Sequence, residues 1–496
     1  MSHILGVSAG FHDAAISVVD HSGNILFAGH SERYSKKKND PAIHSGLLAE
    51  VDQWEFDTVA YYERPWLHNY QQWRSGQKQY SAWTTRSAIN SHIRGAFSLG
   101  AKIKCYPHHL SHAAAGFQTS PYNSAAVIVV DAIGEMDTAS IYKAWYDSDG
   151  NARYKRVWRQ TYPHSLGLFF SAVTQAVGLR PMEDEYVVMG MAAYGKDHVD
   201  DPLQMMDYIV TDVDQFEFAE NYHTGLWLPG HIQEQDKMDL AKSAQYIVNH
   251  MVLSLAKKAR KLVESDNLVL MGGVALNCVT NSLLGKHYQN IWIMPNPGDA
   301  GSSLGAAALA YGKKINWQTA FLGHNIDGDY PVKDLCDQLI ANKIVGVASG
   351  RAEFGPRALG NRSLLADPRG ADIKDRVNEI KRRQKFRPFA PVVLAEHANE
   401  YFKMPVGFAT STYMQAVAQV LRPDLYPAIS HADNTARVQT VAKDGSGIRK
   451  LLELWYSKTG CPMLLNTSLN IRGEPMVNNR ADANRFEKTY QLKVCI

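Results

Sequence analysis

Cysteine is scarce: five residues, Cys105, Cys278, Cys336, Cys461 and Cys495, in a chain of 496. They are odd in number and far apart, which excludes a disulfide framework and a CxxC zinc pair. A reduced, cytoplasmic setting is the expectation. Long apolar runs are also lacking. A stretch such as Ala125–Val130 falls far short of the roughly 18 residues that span a bilayer, so no membrane partner is expected. Nor is there an excess of one charge. Lys plus Arg number 52 against 49 Asp plus Glu, a net of +3, which is no counterion-release footprint and argues against a nucleic-acid partner. The N-terminus shows no basic stretch followed by an apolar one, so no secretory signal is expected.

What remains is the composition of a globular protein. Hydrophobic residues make up 45% and charged residues 20%, enough for roughly two to four domains. Short apolar strands are predicted at His3–Ser8, Ala15–Val19 and Ile25–Ala28, the last two joined by the turn Asp20-His21-Ser22-Gly23-Asn24. A similar block follows at Ala125–Asp131, Thr138–Tyr146 and Arg153–Gln160, with the turn Asp147-Ser148-Asp149-Gly150-Asn151. Each block opens with a strand running into a Gly-containing loop with an acidic residue, Asp13 in one and Asp131-Ala132-Ile133-Gly134-Glu135 in the other. This is a weak internal repeat. Helices are predicted at Leu166–Val177 and Asp239–Val263, then a strand at Leu268–Met271, a glycine loop, a helix from Cys278, a strand at Ile291–Met294 and a helix over Asp299–Tyr311. Strand, glycine loop and helix in alternation indicate α/β architecture. The stretch 312–343 is the best domain boundary, and a new unit starts with the strand Ile344–Ala348.

Several clusters carry possible chemistry. In His108-His109-Leu110-Ser111-His112, His108 and His112 stand at i and i+4 and share a helical face, as two imidazoles on one metal would. With 19 histidines, about 0.7 such pairs arise by chance, so a pair of surface histidines is an equally good reading. Asp131 and Asp299 sit at element junctions; they could complete a metal site or be a turn aspartate and a helix cap. Gly272-Gly273 after an apolar strand could offer N–H groups to an anion or simply make a tight turn. Asp13 could act as a general base or be a turn residue. The basic run containing Lys36, Lys37 and Lys38 reads as a solvated face, from which one lysine could neutralise an oxyanion. The last third concentrates arginines among glycines, in Gly355-Pro356-Arg357-Ala358-Leu359-Gly360-Asn361-Arg362-Ser363 and in the stretch from Lys381 through Arg387 to Pro391. Arg437, Asn466 and Ser468 add polar groups. Converging guanidinium groups suit a polyphosphate or an acyl phosphate better than surface salt bridging.

The motifs His-His-Leu-Ser-His-Ala, Gly-Gly-Val-Ala-Leu-Asn, Gly-Pro-Arg-Ala-Leu-Gly-Asn-Arg-Ser, Phe-Arg-Pro-Phe-Ala-Pro and Asn-Thr-Ser-Leu-Asn occur in that order over nearly the whole chain. Together they resemble the O-carbamoyltransferases of the nodulation and antibiotic-biosynthesis type, tobramycin-type enzymes included. The segments Ser165–Ser171 and Met189–Gly195 are also similar to that family. The resemblance implies a duplicated actin/hexokinase-like lobe over 1–325, in halves of roughly 1–165 and 166–325, similar to the tRNA threonylcarbamoyl transferase. It implies a smaller α/β lobe over 326–496, similar to threonylcarbamoyl-adenylate synthases. The second lobe would make carbamoyl-adenylate from carbamoyl phosphate and ATP, with Mg2+ accompanying the ATP, and the first would pass the carbamoyl group to a hydroxyl of a small or nucleoside-like acceptor.

Carried over by motif, His108, His112, Asp131 and Asp299 would ligate one Fe2+. Asp13 and Lys38 would be catalytic, and Gly134, Gly272, Gly273 and Asn277 would bind the nucleotide. Arg357, Arg362, Lys381, Arg387, Arg437, Asn466 and Ser468 would line the carbamoyl phosphate and ATP site. Two departures stand out: Val187 where the family carries a lysine, and Ala193 where it carries proline. The alternatives are transfer to an amino group of a nucleic-acid base, and a non-catalytic nucleotide-binding regulator. Relatives also suggest a homodimer.

Overall fold

A computed structural model describes residues 3–74, 89, 101–196, 201, 203–210, 215–226 and 233–496. The chain forms two compact units. One comprises 1–35, 39–276 and 287–319; the other comprises 36–38, 277–286 and 320–496. Among the described residues no helix is long and apolar enough to cross a membrane.

The first unit holds two five-stranded sheets of identical topology. One contains β1 (His3–Ser8), β2 (Ala15–Asp20), β3 (Ile25–His30), β4 (Phe56–Tyr61) and β5 (Lys102–Cys105), in the order β3-β2-β1-β4-β5. The first three strands are antiparallel, while β4 and β5 join in parallel. The other sheet contains β6 (Ser124–Gly134), β7 (Asp137–Tyr146) and β8 (Ala152–Thr161). After the short ribbon of β9 (Ile209–Val210) and β10 (Glu217–Phe218), it is completed by β11 (Asn267–Met271) and β12 (Asn290–Trp292). Its order, β12-β11-β6-β7-β8, repeats the first sheet strand for strand, with the same antiparallel and parallel pairings. The repeat suspected in the sequence is therefore a duplication of a whole sheet. This is the topology expected of an actin/hexokinase-like lobe.

Both predicted hairpin turns form, at 20–24 and 147–151, each pinned by an aspartate accepting from backbone N–H groups two and four residues on. The strands β4 and β5 were not foreseen, because β5 carries alternating lysines and only half-buries its other face. The edge strand β8 likewise exposes several of its basic side chains, which blunts an open sheet edge.

Helices α1 (His108–Thr119) and α4 (Ser302–Tyr311) lie back to back between the sheets, α4 against β1 and β2, α1 against β6 and β11. Helices α2 (Leu166–Ala176) and α3 (Glu234–Leu262) pack on β6 as well. The layers approach so closely that a Cβ on Gly6 would lie 2.0 Å from the Ser303 carbonyl oxygen, and one on Gly305 would lie 1.9 Å from that of Ser111. Small residues in α4, which the sequence showed as a run of Gly, Ala and Ser, thus bring the backbones of two helices together.

The second unit is built on a mixed six-stranded sheet. Its strands, in the order β21-β17-β22-β16-β14-β23, are Gln439–Val441, Ala390–Leu394, Met463–Ser468, Arg362–Ala366, Ile344–Ala348 and Val494–Cys495. A ribbon of β13 (Phe321–Ile326) with β15 (Gly350–Glu353), and a small sheet of β18 (Phe402–Lys403), β19 (Val417–Val420) and β20 (Thr435–Arg437), flank it in the chain. Its core is continuous, from Leu335 and Val345 to Trp455 and Phe486.

We expect Gly305→Ala to destabilise the first unit by about 1–3 kcal/mol or more, since the methyl meets backbone and not a side chain that can swing away. A thermal melt that matches the parent chain would contradict this.

Candidate metal centre and the sites around it

Helix α1 begins at His108 directly after Pro107, and its first turn points His108 and His112 to one side. Their Nε2 atoms stand 3.1 Å apart. Asp131 Oδ2 lies 3.4 Å from the first and 3.1 Å from the second, and Asp299 Oδ1 lies 3.3 and 3.2 Å from them. All four ligand atoms fall within 4.8 Å of one another, and both rings are buried. Metal bonds of about 2.1 Å place neighbouring ligand atoms about 3.0–3.5 Å apart, so this spacing fits one ion. The surface-pair reading of the histidines is excluded by their burial.

Each ligand arrives by a different route. Asp131 was expected in a loop. It lies within β6, where the pairing with β7 loses register between Val130 and Gly134, a bulge that re-aims the side chain. Its Oδ1 accepts from the Ala132 and Gly273 N–H groups, leaving Oδ2 toward the histidines. Asp299 was weighed as a cap. It is instead the first residue of a short helical turn capped by Gly298, and its carboxylate turns to the imidazoles.

The electrostatics reinforce the grouping. Burial would lower the pKa of both imidazoles, yet Asp131 and Asp299 outweigh it and hold His108 and His112 above the ordinary histidine range. Burial would likewise raise the carboxylates, but the two histidines hold Asp131 well below its usual range and Asp299 down to about 2. His109, between them in sequence, goes the other way. Burial and the charge of His108 push it down, and its Nδ1 pairs with the Ser140 hydroxyl at 2.7 Å.

Outer groups orient the ligands. The Nδ1–H of His112 donates to the Pro297 carbonyl at 3.1 Å, which presents Nε2 to the cluster. Behind His108, Glu63 Oε2 lies 3.6 Å from Nδ1, and the ring of Tyr62 lies 5.0 Å away. Sequence reasoning missed Glu63, which follows β4 with no motif around it.

The glycines have steric tasks here. A Cβ on Gly134 would fall 2.5 Å from the His108 ring and 2.6 Å from His109, so Gly134, expected at a nucleotide, makes room for the histidines. Gly272, at φ +90, gives its N–H to Pro297 O at 2.9 Å. The anion met by Gly273 N–H is Asp131 itself. Helix α2 starts beside this strand, with Ser165 capping it through the Leu168 N–H and donating to Ala132 O at 2.6 Å. Asp13 lies in the same unit, its Oδ1 3.2 Å from His30 Nδ1. Val187 is buried in the short helix Glu185–Met191, so no polar group reaches out from the position where the family carries lysine.

Lys38 and Asn277 belong to the second unit. Lys38 is half-buried, and the Asn277 side chain caps a short helix through the Thr280 N–H. In that unit Arg362 is fully buried and donates to the carbonyls of Asn478, Ser349, Asn361, His324 and Gly350 at 2.9–3.0 Å. It staples the loop walls. Glu353 Oε1 does the complementary work, accepting from the N–H groups of Leu359, Asn361 and Arg362 at 2.8–3.2 Å.

Lys381 is buried, with Nζ on Ser468 O and Oγ and on Asn470 O and Oδ1. Burial holds it well below the usual lysine range, and the charges of Arg383 and Arg387 add to the effect. Asn466 Nδ2 donates to Gln439 Oε1 and Ala358 O. Among the described residues, buried Asn466 Oδ1 and Arg437 Nε have no hydrogen-bond partner. Arg357 and Arg387 are half-buried. The Lys381 amine thus ties the end of helix Ile373–Ile380 to the turn 468–470.

Two models of one family match the chain: the carbamoyltransferase N-terminus over residues 3–308 and the carbamoyltransferase C-terminus over 336–496. The chain belongs to the carbamoyltransferase family. It is an enzyme that transfers carbamoyl groups. It is 33% identical to an uncharacterized protein of Synechocystis sp., over 98% of this chain and 94% of that protein. It is 32% identical to the nodulation protein NolO of Bradyrhizobium diazoefficiens, over 76% and 75% of the two chains. It is 26% identical to the 3'-hydroxymethylcephem-O-carbamoyltransferase of Amycolatopsis lactamdurans, over 95% and 94%.

For a divalent ion titrated into this carbamoyltransferase, His112→Ala should abolish tight binding. Glu63→Gln should weaken it by about 10- to 100-fold, as lost outer-shell carboxylates do. Calorimetric titration of the three proteins reads this directly, and an unchanged Kd in Glu63→Gln would remove Glu63 from the centre.

Proposed function

We propose that this chain is an O-carbamoyltransferase that converts carbamoyl phosphate and ATP to carbamoyl-adenylate and passes the carbamoyl group to a hydroxyl of a small-molecule acceptor. What carries the reading is the match of both carbamoyltransferase models to one chain. A relative of nearly equal extent whose name states O-carbamoyl transfer supports it. The lobes of this reading are 1–325 for transfer and 326–496 for activation.

Activation belongs to the second unit. Making carbamoyl-adenylate from carbamoyl phosphate and ATP releases one phosphate and one pyrophosphate and takes up one water. Arg387, Arg357 and Arg437 would meet the phosphate oxygens, since guanidinium groups bind them in pairs, and Lys381 would line the site through the 468–470 turn that its amine holds. Ser468 and Asn470 hold the Lys381 amine, and Asn466 holds the Ala358 carbonyl and Gln439. Arg362 acts through the loop it staples. Mg2+ would accompany the ATP; Gly134, Gly272, Gly273 and Asn277, in the 1–325 lobe, remain the nucleotide-binding residues of this reading.

Transfer belongs to the 1–325 lobe of this reading. His108, His112, Asp131 and Asp299 would hold one Fe2+, a nitrogen and oxygen set without thiolate that suits it. When bound, the ion supplies Lewis acidity toward a carbonyl or phosphoryl oxygen. Asp13 takes the proton of the acceptor hydroxyl, whose oxygen bonds to the carbamoyl carbon as the carbon–oxygen bond to the phosphate breaks and AMP leaves. Lys38 offsets negative charge on the departing oxygen. The near-neutral charge of the chain favours a small acceptor over a nucleic acid.

Incubation with ATP and carbamoyl phosphate should release pyrophosphate, with AMP and a carbamoylated product appearing once a hydroxyl acceptor is added. Asp13→Asn should keep pyrophosphate release and lose transfer by about 100-fold or more. Pyrophosphate release that ignores carbamoyl phosphate, or an Asp13→Asn chain that transfers normally, would sink the reading. Elemental analysis of the purified protein should find iron, and His112→Ala should lack it.

A further inference from the structure

One buried titratable side chain near Asp13 has no part in the scheme so far. His30 closes β3, opposite Ala15 in the β2–β3 ladder, and is 3% exposed. Asp13 stands two residues before β2 with φ +53, a left-handed conformation that an aspartate pays strain to adopt. The Ala14 N–H donates to Asp40 O at 2.7 Å and the Ser31 N–H to Ala14 O at 2.7 Å, so the backbone on both sides of the pair is pinned.

His30 is held at both ring nitrogens. Its Nε2 lies 3.0 Å from Nδ2 of buried Asn296, and its Nδ1 lies 3.2 Å from Asp13 Oδ1. An amide nitrogen only donates, so Nε2 accepts and the proton sits on Nδ1. That N–H then donates to Asp13. Among the described residues no other group hydrogen-bonds the Asp13 side chain, which is 22% exposed.

We propose that His30, fixed in its Nδ1–H tautomer by Asn296, is a positioning residue for Asp13: it anchors Oδ1 and leaves Oδ2 to receive the proton of the acceptor hydroxyl. The proposal rests on the reading of Asp13 as the base. Desolvation alone would raise the Asp13 carboxyl, and His30 with the neighbouring His12 more than reverses it, which keeps the group ionised and able to accept. Asn296 also begins the segment whose next residue, Pro297, receives the His112 Nδ1–H, and which ends in Asp299. Four consecutive residues thus set the tautomer of the histidine behind the base and of one at the metal centre.

The test uses the full chain with 15N-labelled histidine, the His30 signals being assigned by their loss in His30→Asn. At neutral pH the ring should show Nδ1 protonated and Nε2 bare, and Asn296→Ala should convert it to a mixture. In kinetics, His30→Leu should lower kcat of carbamoyl transfer at least about tenfold, while acceptor-independent pyrophosphate release and the KM for ATP stay unchanged. His30→Asn, whose amide puts an N–H near the lost Nδ1–H, should recover most of the loss. An Nε2–H tautomer, a His30→Leu chain that transfers at the parent rate, or a His30→Asn chain as impaired as His30→Leu would overturn the proposal. The correct tautomer in a chain that transfers no carbamoyl group would instead overturn the reading of Asp13 as a base, and this inference with it.

Discussion

Two carboxylates cannot be buried side by side unless cations hold them there, and the first unit is arranged around that constraint. Asp131 and Asp299 approach the same pair of imidazoles, each ionised well below its ordinary range because the histidines stand against it. Such a cluster is costly in an apolar interior unless every remaining lone pair is engaged. Here backbone engages part of the rest, Ala132 and Gly273 N–H on Asp131 and the Pro297 carbonyl on His112, while His108 Nδ1 faces Glu63 at 3.6 Å without a hydrogen bond. The glycine loop after β11 therefore closes the electrostatics of the centre as well as turning the chain. An ion held between the four groups would remove the repulsion outright, so a metal and the fold would support each other.

Much of this was legible in the chain and some was not, for definite reasons. The strands β1–β3 and β6–β8 show themselves because each hairpin turn carries its Asp and Gly at the positions a tight turn needs. The i, i+4 spacing identified the histidine face. It could not show that the face was buried, which depends on Gly305 letting α4 press against α1. Asp131 looked like a loop residue because a bulge in a long strand has no signature when its partner strand is unknown. Gly134 was legible as a glycine that a ligand could approach; that its missing side chain also admits two imidazole rings was not. In the second unit the arginine-rich motifs were visible, but their division of labour was not. Arg362 spends its guanidinium on five carbonyls and Lys381 its amine on Ser468 and Asn470, while Arg357 and Arg387 are half-buried, and only the fold separates a staple from a candidate ligand. The carbamoyltransferase resemblance supplied an order of motifs; it did not supply Glu63 or His30.

Asp13 and the four-residue cluster share a support in the first unit. Each sheet carries a carboxylate beyond the paired part of its first strand, Asp13 after β1 and Asp131 late in β6, but the ladders (Ser8 with Ala15, Val130 with Ala139) align Asp131 with Ala9 and not with Asp13. Their fates then diverge through what faces them. Asp131 meets the two histidines of α1. Asp13 meets one, His30, from its own sheet. The segment from Asn296 to Asp299 touches both settings, through the Asn296 amide and the Asp299 carboxylate. A displacement of that segment would therefore disturb Asp13, through His30, and the cluster of His108, His112, Asp131 and Asp299 in the same motion. The tight contact of Gly301 against the Asn296 carbonyl, 1.8 Å from where a Cβ would be, shows how little room the segment has to make that motion. Rigidity of four residues, set by glycine on one side and proline on the other, is what holds the His30–Asp13 pair and the four-residue cluster at fixed separation.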